Sequence, residues 1–227
     1  MELSKRLSSI VDLIEKNKIV ADIGTDHGYI PIYLIKNNIC NYVIASDINK
    51  GPIEILKKNI KEHNIQKGID IRLGAGFETL KENEVNIAII AGMGGNLIAD
   101  IIESSYNIAE NLDYMVLQPA QHQEVLRKYL YNKGFKIIKE DIVYDAEKYY
   151  HTIKVSKGED AAYEKEVDYY IGRKFTEKGE DFKGYIKSKI ESIEKIIKFT
   201  EKASDKERCN YLKNLLREFK EVMENEV

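Results

Sequence analysis

Tryptophan is missing from this chain of 227 residues, and cysteine, proline and histidine are scarce, with two, three and four copies. Cys40 and Cys209 stand far apart, without the paired spacing of a zinc cluster or a disulfide framework. Reduced thiols and no bound metal are therefore expected. Residues 1–15 contain no uninterrupted apolar stretch of the signal-peptide kind, and no window approaches the length that crosses a bilayer, so a cytoplasmic protein without a membrane partner is expected. An excess of one charge is missing too: 35 Lys and Arg face 38 Asp and Glu, a net charge of −3. That balance neither demands nor excludes a nucleic-acid partner, because a local basic surface binds phosphate whatever the whole chain carries. No repeat of solenoid type is present.

What is present is an alternation of short β-rich runs with amphipathic helical patterns from Lys18 to about Ser156. Such alternation builds βαβ units and a parallel sheet. Ile19-Ile23, Tyr42-Ser46, Asp70-Leu73, Ile87-Ala91 and Tyr114-Leu117 read as five strands. Lys136-Tyr144 and Tyr150-Val155 follow without a helix between them and read as an antiparallel edge hairpin joined by the polar Asp145-Ala146-Glu147-Lys148. After Gly158 the texture changes. Ile186, Ile190, Ile193 and Ile197 form one helical stripe and Leu212, Leu215, Leu216, Phe219 and Val222 another, with a polar stretch from Thr200 to Lys206 whose Ser204-Asp205 reads as a turn and helix N-cap. The expected division is an α/β unit over residues 1–158 and a helical, coiled-coil-like hairpin over 159–227.

Between the first strand and its helix lies Asp22-Ile23-Gly24-Thr25-Asp26-His27-Gly28. Gly24 and Gly28 let the backbone pass close to a ligand where a Cβ would obstruct it. A dinucleotide site wants a third glycine and room for a pyrophosphate, whereas here Asp26 takes the middle position and repels that anion. Acidic neighbours favour a cationic ligand, and S-adenosylmethionine (SAM) carries both an ammonium and a sulfonium. The competing explanation is a tight strand-to-helix turn capped by Asp or Thr. Asp47 at the end of the second strand adds the acid expected to accept ribose hydroxyls, and Gly51-Pro52 opens the helix after it. Leu73-Gly74-Ala75-Gly76-Phe77 and Ala91-Gly92-Met93-Gly94-Gly95-Asn96 end the third and fourth strands, where glycines permit close approach or simply loosen a loop. Gln118-Pro119 ends the fifth, with an amide able to bond a base edge.

Taken in order, Leu3-Ser4-Lys5-Arg6-Leu7, Asp22 to Pro31, Ser46-Asp47, Gly51-Pro52, Gly74-Ala75-Gly76, Ala91 to Gly95 and Leu117-Gln118-Pro119 resemble the bacterial tRNA (adenine(22)-N1)-methyltransferase family. The likeness covers about the first 155 residues and continues through Glu140, Lys148 and Tyr150. It implies a Rossmann-like class I SAM methyltransferase domain, a C-terminal coiled-coil domain, tRNA as partner and methylation of N1 of a D-arm adenine. Cofactor contacts are then expected from Asp22, Gly24, Asp26, His27, Asp47, Ile48, Gly74, Ala75, Gly76, Phe77, Ala91 and Gly92. The chain departs from the family pattern at Ala75, where an acid is frequent, and at Ala120, where Asn is frequent; adenine recognition would fall to backbone groups around Gly76-Phe77.

Neutral adenine N1 has a free lone pair, so attack on a methyl group needs no prior deprotonation, and placement and desolvation carry the catalysis. Asp26, Gly92, Met93 and Gln118 are the expected catalytic set, with Asp26 acting electrostatically. The target base must leave its stack to enter a pocket near Gly94, Gly95 and Tyr150. Phosphate contacts are expected from Arg6, Lys183 and Lys187, although the acids interleaved among the helix lysines equally suit a solvated face. A monomer is expected. The alternatives are a SAM methyltransferase acting on another RNA or a small molecule, and a non-catalytic RNA-binding module on the same fold. NAD-dependent dehydrogenation ranks last because of Asp26.

Overall fold

Each apolar run becomes a strand because its alternate residues feed two separate cores. In the computed structural model, which describes residues 1–202 and 205–226, β1 (Ile19–Ile23), β2 (Tyr42–Asp47), β3 (Ile69–Leu73), β4 (Ile87–Ala91) and β5 (Tyr114–Gln118) pair in parallel. Val20, Ile87, Ile89, Tyr114 and Val116 join one core with α1 (Lys5–Val11) and α2 (Tyr29–Lys36). Helix α3 (Lys50–Glu62) packs on β2 and β3. Ala21, Ile23, Ala88, Ile90, Met115 and Leu117 join the opposite core with α4 (Gly95–Ser104), α5 (Tyr106–Ala109) and α6 (Gln123–Asn132).

Two antiparallel strands, β6 (Phe135–Asp145) and β7 (Lys148–Lys157), complete the sheet in the order β3-β2-β1-β4-β5-β7-β6. The connections from β1 and β4 leave the sheet on opposite faces, which opens a crevice at their carboxyl ends. The edge hairpin is tighter than its sequence suggests. Asp145 and Lys148 pair across the ladder, so the turn is only Ala146-Glu147, both at positive φ (46° and 63°). A two-residue turn of that hand matches strand twist, but the usual Asn-Gly signature is absent, which hid it.

Beyond the hairpin, α7 (Glu166–Ile171), α8 (Glu180–Lys202) and α9 (Lys206–Glu226) bury the stripes read from the sequence. Ile186, Ile193, Ile197, Leu212, Leu215, Phe219 and Val222 form a third core that also takes in Val167, Ile171, Phe182, Tyr185 and Ile142 of the sheet; Ile190 and Leu216 pack at its margin. Thr200 belongs to α8 rather than to a polar turn: it is buried and its hydroxyl donates to the Ile196 carbonyl. Asp205 caps α9 by accepting from the Arg208 amide at 3.1 Å, while Ser204 lies outside the described residues.

A buried ion pair fastens this helical segment to the sheet. Arg127 Nε donates to Glu140 Oε1 at 2.7 Å, with both side chains wholly buried. Nη1 of the guanidinium donates to the Tyr169 and Tyr170 carbonyls and Nη2 to His151 Nδ1. Glu140 Oε2 in turn accepts from the Arg173 and Lys174 amides. Because arginine only donates, His151 must accept and remain neutral. Burial, reinforced by the Arg127 and Lys189 charges, holds its pKa well below the usual value.

Candidate active site

Parallel strands end together, so the segments following β1 to β4 rise along one edge and enclose a cleft of about 610 Å³. Asp22 is its deepest acid, at 4% exposure. Burial pushes its carboxyl up to about 6; the Thr25 hydroxyl, donating at 2.7 Å, opposes that rise, and the charges of Asp47 and Asp26 add to it. An acid so placed gains from any cation that enters.

The Gly24 and Thr25 amides donate to the Ser46 carbonyl at 2.8 and 2.9 Å, folding the loop over the end of β2. Gly24 sits at φ 72°, a left-handed conformation that favours glycine, and the tip of Met93 from the β4 loop lies where a Cβ would stand. Asp26, at φ 51°, projects an exposed carboxylate 3.5 Å from His27 Nε2. The His27 ring stacks on Tyr29, 5.5 Å between centroids, and its carbonyl accepts from Asn59 Nδ2. Asp47, also buried, accepts from the Asn49 amide at 2.8 Å through Oδ1, which leaves further acceptor capacity on the carboxylate.

Of the residues singled out in the sequence, Arg6, Asp22, Gly24, Asp26, His27, Asp47, Ile48, Gly74, Ala75, Gly76, Ala91, Gly92 and Met93 line this one cleft. Others stand elsewhere. Phe77 is fully buried in the core beside α4, because the turn at Gly76 directs its ring inward. Gln118 is fully buried behind the cleft, where its amide nitrogen donates to the Arg6 carbonyl at 3.0 Å and to Thr152 Oγ1 at 2.9 Å, so no donor is left for a base edge. Gly95 is buried against the His122 carbonyl, a contact with no room for a side chain, and Gly94 bridges to Gln121. One face of Tyr150 is covered by the Arg6 guanidinium, 5.2 Å from the ring centroid. Lys183 pairs with Glu180 and Lys187 is exposed on α8; neither lines the cleft.

Sequence reasoning missed Thr25, Tyr29, Leu97 and Ile101 on the cleft wall, and Ser9 and Thr152 behind it. Thr25 carried a signal, a hydroxyl three residues after a buried acid. The apolar wall residues carried none, since a helix residue facing a cleft reads like one facing a core.

A switch-point cleft with acids at the ends of β1 and β2 and glycine turns at the ends of β3 and β4 defines a methyltransferase of Rossmann-like fold, and residues 3–153 match the methyltransferase domain family. The chain is 34% identical over 165 residues to tRNA (adenine(22)-N(1))-methyltransferase of Bacillus subtilis, across 72% of this chain and 69% of that protein. It belongs to the tRNA (adenine(22)-N1)-methyltransferase family. Two solved structures extend the likeness over the C-terminal helices. One is a candidate tRNA (m1A22) methyltransferase of Streptococcus pneumoniae in complex with S-adenosyl-L-methionine, 29% identical, covering 98% of this chain and 100% of that one with a TM-score of 0.88. The other is TrmK of M. capricolum in complex with S-adenosyl-homocysteine, 25% identical, covering 99% of each chain with a TM-score of 0.83.

Proposed function

We propose that this chain transfers a methyl group from SAM to N1 of adenine 22 in the D-arm of tRNA. The observation that carries the reading is the pair of buried acids, Asp22 and Asp47, at the ends of adjacent strands beside a loop whose left-handed turn at position 24 favours glycine. The donor set fits SAM: a buried carboxylate whose proton is held up to about 6 suits an ammonium, and a strand-end acid with spare acceptor capacity suits ribose hydroxyls.

SAM supplies the activated methyl group; the chain's own residues place it. Asp22 and Gly24 hold the amino-acid portion, Asp47 the ribose, and Ile48, Gly74, Ala75 and Gly76 the base. Ala75 offers no acid, so the backbone beside it reads the base edge. Asp26, braced by His27 at the open side of the loop, keeps negative potential beside the reacting centre. Gly92 and Met93 bracket the entering adenine, whose N1 lone pair needs no general base, and the walls Leu97 and Ile101 keep water away. Lys183 and Lys187 meet tRNA phosphates. Residues 1–158 form the catalytic unit and 159–227 the helical unit that docks the tRNA. Among the described residues no helix is long and apolar enough to cross a membrane. We propose a cytoplasmic enzyme, where its tRNA substrate resides, acting as a single chain.

Methylation at N1 blocks Watson–Crick pairing and stops reverse transcription. Incubation with SAM and unmodified tRNA should produce one new primer-extension stop at adenine 22. A stop elsewhere, or none, would overturn the assignment. Calorimetric titration should detect binding of SAM and not of NADH.

A further inference from the structure

Arg6 is held more firmly than a surface cation has reason to be. Its amide donates to Asp145 Oδ2 at 3.0 Å, at the tip of the β6–β7 hairpin. Its carbonyl accepts from Gln118 Nε2 at 3.0 Å and from Ser9 Oγ at 2.9 Å. Thr152 Oγ1 closes the set, accepting from Gln118 Nε2 at 2.9 Å and lying 2.8 Å from Ser9 Oγ. Ser9, Gln118 and Thr152 are all buried, so three polar side chains are withdrawn from water to hold one turn of α1.

The guanidinium that this network aims lies over Tyr150 and beside Gly92: Arg6 Nη1 is 3.7 Å from where a Cβ on Gly92 would stand. It forms no direct ion pair among the described residues, although Asp145 feels its charge, and the other charges lining the cleft are Asp22, Asp26 and Asp47. A planar fork of donors whose N–H groups are not taken up by a direct ion pair suits a carboxylate or phosphate.

We infer that Arg6 is an oxyanion clamp at the mouth of the cleft, and that Gln118, Ser9 and Thr152 are positioning residues that aim it. The anion is either the α-carboxylate of the cofactor or a phosphate of the entering nucleotide. The inference rests on the methyltransferase reading above and assigns Gln118 a role that acts through α1.

Arg6→Ala separates the two sources. Titration with S-adenosylhomocysteine and with 5′-methylthioadenosine, which lacks the amino-acid portion, reads the first. If the clamp takes the carboxylate, affinity for S-adenosylhomocysteine falls at least tenfold and that for methylthioadenosine is unchanged. If it takes a phosphate, both affinities hold, the KM for tRNA rises at least tenfold, and the slope of log affinity for tRNA against log salt shrinks by about 0.7–0.9. Gln118→Leu and Thr152→Val should reproduce whichever loss Arg6→Ala shows, Thr152→Ser should restore it, and Arg6→Ala with Thr152→Val should be no worse than Arg6→Ala alone. If Gln118→Leu does not fold, Thr152→Val and Thr152→Ser decide the positioning role. The clamp is overturned if neither arm moves, if methylthioadenosine binding falls as far as that of S-adenosylhomocysteine, or if the double variant is additive. Should the unaltered protein methylate no tRNA, the proposed function falls while the nucleoside titrations and the salt dependence of tRNA affinity still decide the clamp.

Discussion

Asp22 concentrates the chemistry of the cleft in one side chain. Burial raises its folded-state pKa to about 6, so the folded chain keeps a proton that the unfolded chain releases in the ordinary carboxylate range. The stability linked to Asp22 is therefore full below about pH 4 and is lost as pH climbs through about 6. Binding of a cation has the opposite slope, since only the carboxylate attracts it. S-adenosylhomocysteine affinity should rise between pH 5 and 7 in the unaltered protein and lose that rise in Asp22→Asn, as calorimetry at several pH values would reveal. The same variant should raise the ligand-free melting temperature at pH 8, because it removes a buried charge. A drop there would mean that the Thr25 hydrogen bond outweighs burial. The two other acids divide differently. Asp47→Ala should weaken SAM binding at least tenfold, whereas Asp26→Ala, on an exposed side chain, should chiefly lower turnover. Equal losses of affinity would refute that division.

At the level of elements, the edge hairpin does more than close the sheet. Its tip holds the N-terminal turn of α1 through Asp145, its middle supplies Thr152 behind the cleft, and its opposite face supplies Glu140 and His151 to Arg127. Removing one partner of a fully buried pair leaves the other charge without compensation, at about 3–5 kcal/mol. Glu140→Ala also strips the acceptor from the Arg173 and Lys174 amides, so urea denaturation should register a loss of at least that size. A loss below about 1 kcal/mol would mean that water replaces the carboxylate. The strands, their order of appearance and the two C-terminal stripes were legible in the sequence because period-2 and period-3.6 patterns survive without context. Helix α7 and its link to the sheet were not, since six residues carry too little periodicity and Arg127 in an amphipathic helix reads as a surface cation.

For the whole molecule, the shared third core makes the two units less separable than the change of composition at Gly158 suggests. Ile142 of the sheet lies in that core, and Arg127 and Glu140 bond to the backbone of residues 169–174. A fragment ending at residue 158 should therefore melt well below one ending at 175, measured by circular dichroism, even though both contain the entire cleft. Equal melting temperatures would mean that residues 159–175 add nothing to the stability of the catalytic unit.

The sequence by itself determined the class of the fold, the acid-and-glycine loop and the position of each strand-end motif, because these depend on local periodicity and on residue types whose chemistry is their own. Which of those residues share a cleft depended on tertiary structure. Phe77 and Gln118 stand beside cleft residues in the chain yet turn into the interior, while Arg6 arrives from a helix that precedes the acid-and-glycine loop. Side-chain direction at a strand end is set by the turn that follows and by the partners across the sheet. Gln118 faces α1 and β7 for that reason, and no spacing along the chain records it.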